Sequence, residues 1–239
     1  MNKNIFCSFA LLLAVPLLAA ESNPLAEVKA AAAALASQTN YSWRTTVEVP
    51  ANSRFRPGPT EGRTEKEGYT LLSFSFGDNV TEAVLKGTNG ALKTPDGDWR
   101  SLAEAANDDG GGPNPGMFLA RMLQNFKTPA AQAAELAGQA KELKIGTNGI
   151  SGALTDDAAR TLLTFRPRGG GAEGPTVSNA MGSVTFWLAG GKVAKYQFHV
   201  QGTVSFNGNE RDVDRTTTVE IKDVNATKIA VPDEAKKKL

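Results

Sequence analysis

The sequence is nearly without cysteine and histidine: Cys7 and His199 are the only ones in 239 residues. Cys7 lies in an apolar stretch from Ile5 to Leu18 that is broken only by Ser8 and Pro16. Met1-Asn2-Lys3-Asn4, with one positive charge, precedes it, and the small residues Ala19-Ala20 follow. That order of charged, apolar and small residues is the layout of a secretory signal peptide over residues 1–20. The stretch falls short of the roughly 20 apolar residues that span a bilayer, and Glu21-Ser22-Asn23-Pro24 follows at once, so it reads as a leader rather than a retained anchor. Cleavage after Ala20 leaves Leu18 at the third position back, and cleavage after Ser22 places Ala20 there; both sites stay open.

Loss of the leader removes the one thiol. The mature chain is then expected to form no disulfide and to hold no thiolate metal site or Cys nucleophile. No Cys stands directly after the small residues, so no lipid anchor is expected. No later run is apolar enough to cross a membrane. Charge of one sign is also lacking. The full chain has 26 Lys and Arg against 25 Asp and Glu, and the leader takes Lys3 with it. A balanced surface argues against nucleic acid or an anionic membrane as the main partner. The expectation is a periplasmic or secreted protein.

Catalytic constellations are missing too. His199 falls by strand parity on a wet face among Gln and Lys, and no Gly-x-Ser-x-Gly elbow accompanies it. One His without a mature Cys makes a poor zinc site. Asp96-Gly97-Asp98 and Asn107-Asp108-Asp109 lack the spacing of a calcium loop and read as turns. The glycine runs at 110–112 and 169–171 lack the Gly-Lys-Ser/Thr ending of a phosphate loop. No cofactor is expected, and no enzyme.

What is present is strand periodicity framed by helices. Asn23-Pro24, a cap followed by proline, starts a helix to about Gln38 with Leu25, Val28, Ala32 and Leu35 on one stripe. Tyr41, Trp43, Val47 and Val49 then alternate with polar residues along a strand. Glu61 to Glu67 reads as an exposed strand. Leu72, Phe74 and Phe76 alternate with serines, Gly77-Asp78-Asn79 turns the chain, and strands follow at Val80 to Lys86 and around Ala91 to Lys93. After a Gly/Pro loop from Asn107 to Gly116, Met117, Phe118, Leu119, Met122, Leu123 and Phe126 crowd a short helix that must be mostly covered. Thr128-Pro129 starts a helix to about Lys144, and Thr155-Asp156-Asp157 caps another. A second Gly/Pro loop, Pro167 to Pro175, closes the helical insert.

The C-terminal third carries the strongest pattern. After a strand with Val184, Phe186 and Leu188, Ala194 to Phe206 alternate, and Asn207-Gly208 supplies the pair favoured in a two-residue type I′ turn. That turn sets Phe206 opposite Asn209. Counting outward predicts Lys195 opposite Glu220, Tyr196 opposite Val219, Phe198 opposite Thr217 and Val200 opposite Arg215. Arg211 and Arg215 share the dry-face parity, where a buried charge is costly, which places them at an open rim and within reach of a ligand headgroup. Ile229-Ala230-Val231 reads as a last strand.

About nine strands with one apolar face each predict an α+β fold. A large curved antiparallel sheet carries an N-terminal helix and a central helical insert over one face, in a single domain spanning 23–239. Several features carry a resemblance to a family: the leader, the helix before a Trp-bearing first strand, the segment Ser-Gly-Ala-Leu-Thr-Asp-Asp-Ala-Ala-Arg at 151–160, the strand Gly-Ser-Val-Thr-Phe-Trp-Leu at 182–188, and the ending in Val231-Pro232. In this layout the chain resembles the LolA-type superfamily, which includes the periplasmic lipoprotein carrier and the mycobacterial lipid-carrying lipoproteins. It departs from the latter in lacking a lipobox Cys.

The resemblance implies an unclosed β-barrel that holds acyl chains between the concave face of its sheet and its helices. Trp43, Leu72, Phe74, Phe76, Phe186, Tyr196 and Phe198 are then the candidate ligand-binding residues of the sheet, and Met117, Phe118, Met122 and Phe126 those of the helices. Trp187 has the opposite parity to Phe186, so only one of the two can line the pocket. The function implied is a non-enzymatic periplasmic carrier or sensor of a lipid or lipoprotein acyl chain. The alternative is an envelope protein-interaction module with a filled core, recruiting its partner through an exposed strand or loop.

Overall fold

A computed structural model describes residues 23–53, 56–76, 79–107, 115–164 and 175–239. The leader, Arg54, the Gly77-Asp78 turn, the Phe76 side chain, Asp108-Asp109 and most of the two Gly/Pro loops lie outside the described residues.

Helix α1 (Pro24–Ala36) starts as its sequence predicts. The Asn23 side chain accepts from the Ala26 N–H at 3.1 Å, and Pro24 fills the first turn, where a missing N–H costs nothing. Val28, Ala31, Ala32 and Leu35 are buried, whereas Leu25 is exposed, so the apolar stripe begins one turn later than expected. Six strands follow, β1 (Asn40–Glu48), β2 (Thr60–Glu65), β3 (Thr70–Phe76), β4 (Asn79–Lys86), β5 (Asn89–Lys93) and β6 (Trp99–Ser101), each antiparallel to the next.

Four helices and a hairpin then interrupt the meander. They are α2 (Leu102–Ala106), α3 (Pro115–Leu123), α4 (Pro129–Gly138), β7 (Lys144–Gly146), β8 (Gly149–Ala153) and α5 (Asp156–Leu163). The long strands β9 (Thr176–Ala189), β10 (Lys192–Phe206) and β11 (Asn209–Lys222), with the short α6 (Asp233–Lys236), complete the chain.

The strand order β6-β5-β4-β3-β2-β1-β11-β10-β9-β8-β7 is that of two meanders joined where β1 pairs with β11. β6 and β7 are the two free edges, so the barrel is unclosed. The β10–β11 register is the predicted one at all four positions, and Asn207 and Gly208 both have positive φ, at 51° and 76°, as a type I′ turn requires. Register shifts against β9 between Val193 and Lys195 and between Gln201 and Thr203 add local twist. At the second shift Gly202 leaves room for Leu163 of α5, whose Cδ1 would stand 2.8 Å from an added Cβ.

Helices α1, α4 and α5 pack on β9 and β10, while α2 and α3 reach β5. Together with the inner face of the sheet they form one buried apolar cluster that runs from Val28 and Leu35 through Trp43, Leu72 and Leu136 to Phe186 and Val200. A second, small cluster lies on the other face of β4–β6, where Val84, Ala91 and Trp99 meet Ala235 of α6.

The structure departs from the sequence expectation in several elements. The charged segment from Glu61 is not an exposed strand. As β2 it lies between β1 and β3, with Gly62 and Thr64 buried and only Glu61 and Arg63 turned to water. No strand forms at Ile229–Val231, and Val231 packs instead against the outer cluster. Helix α4 ends at Gly138, and Ala140 beyond it bridges to Leu154. The described residues hold eleven strands rather than nine, because β6, β7 and β8 are too short to show a period. Helix α2 was also unforeseen, although Ser101 and Glu104 form a capping box that its Ser-x-x-Glu spacing announces.

Gly62 joins strand geometry to the inner face. It pairs with Trp43, and a Cβ built on it would lie 2.0 Å from the indole ring. Gly62→Ala must therefore displace Trp43, at a cost of about 1–3 kcal/mol for overpacking. Thermal unfolding is expected to fall by roughly 2–4 °C for each kcal/mol in a domain of this size, with a changed tryptophan emission. An unchanged midpoint and spectrum would show that the indole has room to move.

Candidate ligand cavity

Alternation along β1 and β3 turns Trp43, Leu72 and Phe74 to the concave face, where helices cover them. Just past the end of α3 the chain turns, with the Phe126 N–H donating to the Leu123 carbonyl at 3.1 Å. This lays the Phe126 ring on Trp43, with centroids 6.2 Å apart and planes 22° from parallel.

Two tyrosines fix α4 to the sheet. Tyr196 of β10 is fully buried, and its hydroxyl donates to Gln132 Oε1 at 2.6 Å. The Tyr41 hydroxyl accepts from the Ala130 N–H at 3.5 Å, at the first turn of α4. These contacts satisfy polar atoms that would otherwise be costly to bury. Lys127 and Glu135, 2.5 Å apart, form a half-exposed ion pair beside them.

Sheet and helices do not close completely. A cavity of about 390 Å³ remains between Trp43, Thr45, Thr60, Leu72 and Phe74 on the sheet and Met122, Phe126, Leu136 and Leu162 on the helical side. Gln132, Glu135 and Gln139 of α4 add polar groups to its wall, and Tyr196 and Thr217 come from the long strands. Apolar walls with a few placed polar groups, in a volume of roughly 300–1,000 Å³, are typical of sites for small molecules.

Of the sequence candidates, Trp43, Leu72, Phe74, Met122, Phe126 and Tyr196 converge on this cavity. Phe186 and Phe198 share the inner face but do not line it. Phe186 is fully buried against Tyr196, with ring centroids 6.3 Å apart, and Phe198 is buried between its neighbours Val184 and Thr217 in the sheet. Met117 is half-buried away from the cavity, and Phe118 is 54% exposed. The helix that carries them is thus covered on one side and open on the other, not covered nearly all round as its composition implied.

Trp187 lies on the outer face under Lys195, whose Nζ is 4.9 Å from its ring centre, in keeping with its parity. His199 is on the outer face too, 2.8 Å from Asp214. Thr45, Thr60, Gln132, Leu136 and Leu162 were missed as lining residues. Thr45 was within reach, since it shares the parity of Trp43, but a search for large apolar side chains passes over it.

The rim holds the two arginines of β11. Arg211 is exposed, whereas Arg215 is part-buried and donates to the Leu162 carbonyl of α5. Burial holds the Arg215 guanidinium below its usual pKa. Burial likewise raises the Tyr41 hydroxyl, and raises that of Tyr196 well above 10.0.

The tyrosine shifts give a sign to the alkaline stability. Above pH 10.0 these two hydroxyls keep their protons in the folded chain and lose them in the unfolded one. The unfolded state then binds fewer protons, so stability falls as pH rises. Phenolate absorbance is expected to show Tyr41 and Tyr196 ionising only together with unfolding, and Tyr196→Phe to flatten the stability loss above pH 10.0. Ionisation of both while the protein stays folded would show that water reaches them.

No protein-family model matches the chain, and no curated protein matches it. Solved structures do. The Mycobacterium tuberculosis lipoprotein LppX is 13% identical over 87% of this chain and 97% of its own, with a TM-score of 0.42. LprF from Mycobacterium bovis is 11% identical over 89% of this chain and 97% of its own, at 0.45. A LolA superfamily protein from Nitrosomonas europaea is 8% identical over 89% of this chain and 96% of its own, at 0.34. The chain itself is an unclosed antiparallel sheet of eleven strands among the described residues, with helices packed on its inner face.

Proposed function

We propose that the protein is a non-enzymatic carrier or sensor of a hydrophobic ligand, a lipid or a lipoprotein acyl chain, that works in the periplasm or outside the cell. The observation that carries this reading is the cavity of about 390 Å³ between Trp43, Leu72 and Phe74 on the sheet and Met122, Phe126 and Leu136 on the helices. A protein-interaction module with a filled core would need no such space. Apolar walls favour an apolar ligand by removing its surface from water, at roughly 25 cal/mol per Å² before the costs of ordering. Met122 and Phe126 lie near the end of a short helix and in the turn beyond it, where side chains can repack around ligands of different shape. Export by the leader would bring the mature chain to the compartment where such a carrier works.

Native mass spectrometry and lipid extraction of the mature protein, purified from an envelope fraction, test the reading. Copurified lipid and saturable binding of a hydrophobic dye are expected. Absence of both sinks the carrier reading. Thr45→Phe fills the cavity from the sheet side without removing a core residue. It is expected to weaken dye binding by about tenfold or more while far-UV circular dichroism is unchanged, as overpacking a void displaces its occupant before it unfolds a sheet.

A further inference from the structure

Two cavities meet at one residue of β11. Thr217 lines the cavity described above and also a second one, of about 270 Å³, that extends toward the β10–β11 tip past Val47, Val49, Val213 and Leu163. The second shares Ser53, Arg211, Asp212 and Asp214 with an open cleft of about 630 Å³ at the rim. The three spaces lie in series from Trp43 to the rim, and their linings grow more polar in that order. Arg215, two residues from Thr217 on the same face of the strand, stands where the character changes.

Arg215 is part-buried, and among the described residues its guanidinium has one partner, the Leu162 carbonyl oxygen near the C-terminal end of α5. A guanidinium presents five N–H donors, and among the described residues one carbonyl engages only part of them. The nearest acids in sequence are engaged elsewhere. Asp214 holds His199 at 2.8 Å and Asp212 accepts from Thr203 at 2.8 Å, both from positions of outer-face parity. A cation withdrawn from water without a carboxylate partner is costly unless something else supplies the negative charge. The other arginine of inner-face parity on this strand, Arg211, is exposed and lines the same second cavity as Arg215; Asp212 and Asp214 also border it, with their carboxylates bonded to Thr203 and His199.

We propose that the ligand is an amphiphile with an anionic oxygen headgroup, a carboxylate or a phosphate, whose tail fills the apolar cavity and whose head is gripped by Arg215 with Arg211 at the mouth. This rests on the carrier reading and adds a chemical class and an orientation to it. The planar fork of arginine suits both headgroups, because each offers two oxygens to parallel N–H donors. A neutral amphiphile would bring the guanidinium no negative charge.

The test uses the mature protein and three probes with the same saturated chain: hexadecanol, palmitate and hexadecyl phosphate, each competing with a hydrophobic dye. Both anions are expected to bind about tenfold more tightly than the alcohol, the size of effect usual for hydrogen bonds to charged groups. The tighter of the two identifies the headgroup. Arg215→Met is expected to erase that preference while leaving hexadecanol within about twofold, and Arg215→Lys to keep much of it. Equal affinity for alcohol and anions in the unaltered protein overturns the proposal and leaves the carrier reading standing. Equal weakening of all three probes by Arg215→Met also overturns it, because Arg215 then serves only to cap α5. Binding of none of the three removes the carrier reading as well. Should Arg215→Met fail to fold, the ranking of the three probes on the unaltered protein decides alone.

Discussion

The pairing of β1 with β11 is the contact on which the rest of the structure depends. Each half of the sheet is a local meander, and each could form from neighbouring segments. The seam cannot, because its partners lie at opposite ends of the described chain: Ser42 donates to Asp223 at 2.7 Å across 181 residues of sequence. Asn225 reinforces it by accepting from the Thr39 N–H and donating to Gln38, at 3.0 and 2.8 Å. Closing so long a loop costs entropy before any contact repays it, so the seam is expected to form late and to make folding slow. Once formed, it sets Trp43 beside Ile221 and Thr45 beside Val219, and the two meanders become one concave surface.

That surface explains where the cavity lies. Helices α2 to α5 enter between the halves of the sheet and are tied at both ends, while α1 leads directly into β1. α1 and α4 fill the middle against β10, and α5 fills the side of β9. What they leave open is the region between the turn after α3, α4 and the strands next to the seam. The tyrosine hydroxyls hold α4 at that distance. Tyr196 reaches Gln132 and Tyr41 reaches Ala130, each through a bond made in surroundings where a lost partner is expensive. A wall made only of apolar side chains could collapse inward to remove the void, and a helix pinned by directional bonds resists that.

Legibility in the sequence followed the range of the interactions. The β10–β11 hairpin was readable residue by residue, because alternation, an Asn-Gly turn and cross-strand pairing all act within one local unit. The cap of α1 was readable for the same reason. The interior place of β2 was hidden, since its buried positions are Gly62 and Thr64, whose small side chains give no apolar alternation. Gly62 is small because Trp43 stands over it. The supposed last strand at Ile229–Val231 had the composition of a strand, but the strand before it offers no edge, because β11 already pairs with β1 on one side and β10 on the other.

The candidate site was legible only as far as parity reaches. Parity assigns a strand residue to a face, and the inner face was assigned correctly for Trp43, Leu72, Phe74, Phe186, Tyr196 and Phe198. It does not say whether a helix lies directly on that residue or stands off from it. Phe186 is fully buried between its strand neighbours Ile150 and Tyr196, while Trp43 meets Phe126 on one side and open space on the other. Helix α4 ends at Gly138 instead of running to Lys144, and the chain beyond it keeps Gln139 in the cavity wall and Leu143 in the inner core on its way to the β7–β8 edge. Gly138 meets nothing nearer than the far end of Lys29, 3.8 Å from a built Cβ, so packing does not require glycine there. Its poor helix propensity is what the position supplies. A better helix former at 138 would favour another turn of helix and so a different course for Gln139, the next residue, which lines the cavity.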